Sequence, residues 1–148
     1  MEELTVDIEK TIKAPIERVF DAWLDPALLT RFMLPASGLE NPRVTCDPRV
    51  DGRFEILMRV GDNEIPHTGS YLEIDRPNQL AFTWESPESP EGSVVTLTFS
   101  AIGEGQTAVR LRHVKFLDER RRDNHEGGWG NILATLDGVM KDASEAAA

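Results

Sequence analysis

Apolar and polar residues alternate along most of this chain, and helical spacing replaces the alternation in two places. Leu4, Val6, Ile8 and Ile12 alternate with Thr5, Asp7, Glu9 and Thr11. A period of two marks a strand with one buried face, here over about residues 3 to 13. Lys10 breaks the apolar row. Ala14-Pro15 ends it, and Pro15 suits the first turn of a helix, where its missing N–H costs nothing. Ile16, Val19, Phe20, Trp23 and Leu24 then recur at helical spacing. Asp25-Pro26 interrupts, because a residue before proline resists the α region. Leu28, Leu29, Phe32 and Met33 give a second short helix.

From about residue 40 the period returns to two. Val44 and Cys46 alternate with Arg43, Thr45 and Asp47, and Asp51-Gly52 reads as a turn. Phe54, Ile56, Met58 and Val60 alternate with Arg53, Glu55 and Arg59, and Gly61-Asp62-Asn63 marks a hairpin. The next strand, about Glu64 to Asp75, places Ser70, Leu72 and Ile74 on one face. After Arg76-Pro77-Asn78, Leu80, Phe82 and Trp84 alternate with Ala81, Thr83 and Glu85. The polar, proline-rich run SPESPEG reads as an exposed loop. Val95, Leu97 and Phe99 form one strand row. Gly103-Glu104-Gly105 turns the chain into another row, Val109, Leu111 and His113, opposite Arg110 and Arg112.

The last segment is helical. Trp129, Ile132, Leu133, Leu136, Val139 and Met140 fall on one helix face, and the tail over 143–148 is expected to fray. The order is strand, two helices, about six strands, long helix. Short turns between strands imply antiparallel pairing. A sheet with one buried face needs a cover, and the last helix carries the stripe to provide it. The expected class is therefore α+β: one domain over 1–148, with a bent antiparallel sheet of about seven strands around a long C-terminal helix.

Composition narrows the function classes. With 148 residues, 40% of them hydrophobic, the chain builds its core without disulfide or metal staples. Sixteen basic residues against 26 acidic ones leave a formal charge of −10. That charge argues against broad nucleic-acid binding and against adhesion to anionic membranes. No run reaches the roughly 20 apolar residues of a membrane span, so membrane insertion is not expected. The acidic N-terminus resembles neither a signal nor a transit peptide. A single cysteine, Cys46, forbids an intrachain disulfide, and the expected location is cytoplasmic.

Four segments stand in register with a known family: KTIKAPIERVFDAWLDPALLTRF, DGRFEILM, GSYLEIDRPNQLAFTW and HEGGWGNILATL. Together they span roughly Ile8 to Leu136. Their order and spacing resemble the homologues of the activator of the ninety-kilodalton heat-shock-protein ATPase. That family belongs to the START-like, birch-pollen-allergen-like superfamily, also called the polyketide cyclase and lipid-transport group. The chain departs from the common pattern at Arg31-Phe32, where many members have Trp-Trp or Trp-Phe, and at Asp51-Gly52, where many have Gly-Gly. The resemblance implies a helix-grip fold with a deep cavity between sheet and helix.

Trp23, Phe54, Met58, Phe82, Trp84, Phe99 and Trp129 are the large apolar residues expected to face inward, as core and as cavity wall. His113 shares its strand face with Val109 and Leu111. It is either the polar anchor of an apolar pocket, a core histidine bonded to a neighbour, or a strand-end residue in water. His125 lies one helical turn before Trp129 and is expected to be exposed. Gly127, Gly128 and Gly130 each disfavour helix by about 1 kcal/mol. They either make room for a ligand or the sheet, or form a lead-in to a helix starting near Trp129. Arg53, Glu55, Arg110 and Arg112 are expected to face solvent. Recognised catalytic motifs are absent. His67, His113 and His125 have no metal-ligand spacing, so no metal or other cofactor is expected. Cys46 reads as a small hydrophobe.

Three functions follow. The first is binding of an apolar small molecule (lipid, aromatic or polyketide-like) in a mainly apolar cavity of several hundred Å3, the usual pocket range. The second is a cyclase, lyase or hydrolase in the same cavity, with His113 as its acid–base group. The third is an interaction module acting on a chaperone partner. A homodimer is compatible with all three.

Overall fold

The computed structural model describes residues 5–34, 40–86, 92–114 and 118–147. Leu4 and the expected loop at 87–91 lie outside them. The elements are β1 (Thr5–Ile12), α1 (Ile16–Ala22), α2 (Pro26–Phe32), β2 (Arg43–Cys46), β3 (Arg53–Val60), β4 (Asn63–Asp75), β5 (Gln79–Thr83), β6 (Val94–Gly103), β7 (Gln106–Val114) and α3 (Glu119–Ala147). The strands form one seven-stranded antiparallel sheet in the order β1-β7-β6-β5-β4-β3-β2. This is the helix-grip arrangement, a bent sheet holding α3.

The helices begin and end where the sequence chemistry says they should. Pro15 sits at the N-cap of α1. Asp25 caps α2, its carboxylate accepting a hydrogen bond from the Ala27 N–H, with Pro26 at the first helical position. The apolar stripe of α3, from Trp129 to Met140, is buried in full. Two bonds clamp this helix. The Lys13 N–H donates to Asp137 Oδ1 at 2.9 Å, and Asn131 Nδ2 donates to the Leu34 carbonyl at 2.7 Å. They tie α3 to the chain just after β1 and just after α2. No helix among the described residues is long and apolar enough to cross a membrane.

The structure adds to or departs from the sequence reading at three points. First, α3 starts well before Trp129, because the Asp118 carboxylate accepts from the Arg121 N–H at 2.8 Å and caps the first turn. The glycines therefore lie inside the helix. Gly127 and Gly130 are exposed, and a Cβ on either would meet nothing within 4 Å, so close approach does not explain them. Second, the backbone is helical to Ala147. Third, β4 carries a bulge between Tyr71 and Glu73 against β5. A bulge inserts one residue and reverses which faces follow it. Tyr71 is buried in one row with Ile65, His67 and Gly69, and the bulge after it brings Ile74 to the same face while Leu72 is 48% exposed.

One glycine is required by packing. A Cβ on Gly69 would lie 2.0 Å from the Thr83 carbonyl oxygen and 2.6 Å from the Phe54 ring. Gly69 faces Phe54 across the β3–β4 pair. Its bare backbone lets the Phe54 ring lie across the strand towards the interior.

Candidate functional site

Under α2 lies a cavity walled by Trp23, Leu29, Met33, Phe54, Ile56, Tyr71, Phe82 and Trp84. Each wall has a local reason. Trp23 is the C-cap residue of α1, and Leu29 and Met33 come from α2 and its C-cap. Phe54 and Ile56 share the inward face of β3 by strand alternation. Tyr71 continues the inward row of Ile65, His67 and Gly69 on β4, and Phe82 and Trp84 continue the row of β5.

The free volume is about 10 Å3, room for about one water molecule. That is far below the several hundred Å3 expected from the sequence. The reason is that the large side chains pack against one another. Phe54 stands 5.3 Å from Phe82 and 5.5 Å from Tyr71, centroid to centroid, and Trp23 meets Phe32 edge-on at 5.1 Å. Rings expected to line a space occupy it instead, at the density usual for interiors.

Of the eight residues expected at the site, Trp23, Phe54, Phe82 and Trp84 line this cavity. Met58, Phe99, His113 and Trp129 are buried but do not line it. Phe99 belongs to another part of the core, edge-on to Phe20 at 5.2 Å. Four wall residues were missing from the expectation. Leu29, Met33 and Ile56 had been recognised as apolar positions without a role. Tyr71 was hidden by the bulge, for which no residue pattern gave warning.

The wall is apolar but not featureless. Trp23 and Trp84 are 3% and 2% exposed, and neither indole N–H finds an acceptor among the described residues. The Cys46 thiol, near the Tyr71 hydroxyl, donates to the Leu24 carbonyl at 3.5 Å. Burial pushes the Cys46 thiol above its ordinary pKa, which keeps it a thiol.

Behind Trp84 sits a second buried group. Trp84 and Trp129 stack at 4.9 Å, and the three histidines gather around this pair. His67 lies 5.1 Å from Trp84, and His113 lies 5.3 Å from His125. His125 is half-buried rather than exposed, its ring packed on His113 and its Nδ1–H donating to the Arg121 carbonyl at 2.8 Å. The nearness of the histidines comes from folding β4, β7 and α3 together, which spacing along the chain cannot reveal. No three His, Cys, Asp or Glu side chains among the described residues are arranged to hold a metal.

His113 is a core histidine bonded to its neighbours. It is fully buried between Ser93 and Trp129. An indole N–H can only donate. Trp129 Nε1 donates to His113 Nδ1 at 3.0 Å, which fixes Nδ1 as the acceptor. The neutral ring's proton is then on Nε2 and is donated to Ser93 Oγ. Ser93 and His113 resemble a nucleophile–base pair in composition, but the proton runs the wrong way for His113 to take one from Ser93. Burial holds the His113 imidazole down at about 3, and the nearby His125 adds to the effect. Burial similarly holds His67 at about 4.

The sequence pattern of the family described as activator of Hsp90 ATPase homolog 1-like protein matches residues 13–141. The chain belongs to this family. No curated protein matches it. Among solved structures, an AHSA1-like protein from Aeromonas hydrophila superimposes with a TM-score of 0.78 at 24% identity, over 95% of this chain and 94% of that one. A protein of unknown function from Staphylococcus aureus gives a TM-score of 0.80 at 18% identity, covering 97% of each chain. A protein from Nitrosomonas europaea gives 0.76 at 19%, over 96% of this chain and 97% of that one. At these identities the likeness concerns the fold. In this member of the activator-homologue family, the space between sheet and helices is divided in two: an aromatic cavity under α2, and a sealed Trp–His–Ser cluster against α3.

Proposed function

We propose that this activator-homologue domain binds a small, mainly apolar molecule in the cavity under α2. The observation that carries the reading is the wall itself. Five aromatic rings from α1, β3, β4 and β5 converge on one space, and the covering side chains, Leu29 and Met33, come from a helix of seven residues and its C-cap. A two-turn helix draws its stability from packing rather than from its own hydrogen bonds, so its displacement costs little beyond that packing. Met33 adds a flexible side chain that adapts to irregular occupants. A ligand larger than a water enters by displacing Leu29 and Met33.

Catalysis in the same cavity is less well supported. His113 was the inward candidate for acid–base work. It does not line the cavity, and its two ring nitrogens are committed to Trp129 and Ser93. A role on a chaperone ATPase, which the family description names, would call for a docking face. The large apolar side chains left exposed among the described residues, Val50, Leu72 and Ile102, sit in a turn and on two different strands.

Titration of the folded protein with a panel of apolar and aromatic compounds, followed by tryptophan fluorescence, tests the reading. Trp23 and Trp84 wall the cavity, so occupancy perturbs their emission. Saturable binding by one chemical class is the expected outcome. A folded sample that responds to none of them overturns it.

A further inference from the structure

The cavity offers donors and lacks acceptors to meet them. Trp23 and Trp84 are both more than nine-tenths buried, both wall the same space, and both indole N–H groups lack an acceptor among the described residues. Burial of one such donor without a partner costs on the order of 1–3 kcal/mol, and native proteins rarely tolerate it without cause. Here there are two, on different elements: Trp23 at the end of α1 and Trp84 after β5. The third tryptophan of the chain makes the contrast. Trp129 is equally buried, and its N–H is bonded to His113. The other polar group in the wall is the Tyr71 hydroxyl, which lies near the Cys46 thiol.

We infer that the ligand of this cavity is an apolar molecule carrying a hydrogen-bond-accepting oxygen, a carbonyl or ester, that accepts a hydrogen bond from the Trp23 or Trp84 indole N–H. The inference rests on the proposed binding function and narrows its ligand class. An indole N–H donates and never accepts. A hydrocarbon leaves both donors unsatisfied. Where a water meets one of these groups in the free protein, the ligand's oxygen reproduces that bond as it displaces the water.

The test compares two compounds of nearly the same shape: acetophenone, and α-methylstyrene, in which C=CH2 replaces C=O. Binding to the full-length protein is followed on the three indole N–H signals in nitrogen–proton correlation spectra. Acetophenone is expected to bind about five- to tenfold more tightly, the equivalent of one net hydrogen bond. It should move the Trp23 or Trp84 N–H signal downfield and leave Trp129 in place. Trp23→Phe or Trp84→Phe should bring the ratio of the two affinities towards one. If a variant fails to fold, the downfield shift in the unaltered protein still decides. Equal affinities, or no downfield shift on acetophenone binding, overturn the acceptor inference and leave apolar binding standing. If neither compound nor any member of the wider panel binds, the binding function and this inference fall together.

Discussion

The bond from Trp129 to His113 decides more than its length suggests. A donor that can only donate sets the tautomer of the ring, and the ring then spends its one proton on Ser93. Ser93→Ala removes that acceptor and leaves a buried N–H unpaired. Stability should fall by about 1–3 kcal/mol in urea unfolding, and long-range nitrogen–proton NMR of the unaltered protein should show the His113 proton on Nε2. A proton on Nδ1 would contradict the assignment. At this scale the sequence was partly legible. The alternation of Val109, Leu111 and His113 placed the histidine inside. Its partners were not readable, because Ser93 and Trp129 reach it only through the β6–β7 pairing and the docking of α3. Orphaned donors are likewise invisible in sequence: nothing distinguishes Trp23 and Trp84 from Trp129 until the acceptors around each are known.

Among the elements, strand periods and helix caps were the most legible features, since alternation, Asp25-Pro26 and the stripe of α3 are each local. The bulge in β4 was the least. It depends on how β4 meets β5, and it leaves Leu72 exposed while Tyr71 and Ile74 share the inward face. Cavity size escaped for a related reason: inward direction can be read from period two, whereas interlocking depends on ring angles. Glycines show the same division between local and tertiary causes. Gly69→Ala drives a Cβ into the Thr83 carbonyl and the Phe54 ring. It should cost about 1–3 kcal/mol, as overpacked interiors do. Gly127→Ala meets open space on an exposed helix face and should instead stabilise by up to about 1 kcal/mol. Paired urea unfolding curves check both signs, and a Gly69→Ala protein as stable as its parent would refute the packing role.

For the molecule as a whole, the buried histidines set the response to acid. His67 and His113 are held near 4 and 3 in the folded protein, below the roughly 6.5 of an unfolded chain. Between those values the unfolded chain binds more protons than the folded one, so stability falls as pH drops below about 6.5 and is level above it. Each histidine contributes up to about 1.4 kcal/mol per pH unit, so both together make a steep decline down to about pH 4. Asp7, Asp21 and Glu85, held low by bonds from Arg110, Arg76 and Arg53, extend the loss further into acid. The decline runs against the relief of charge repulsion as the chain nears its pI of about 4.7. Thermal unfolding from pH 7.5 to 4.5 measures it, and His67→Phe should flatten the slope; a flat profile in the unaltered protein would refute the burial of neutral imidazoles. The strand order has a consequence for how the chain comes to be folded. From β2 to β7 every strand pairs with its successor, so those hairpins close over short loops as the polypeptide is made. β1 pairs only with β7, Thr5 against Val114. Although it precedes the other six strands along the chain, β1 therefore waits, unpaired, until nearly the whole sheet has been synthesised, and its docking is a long-range step that raises the contact order of the domain.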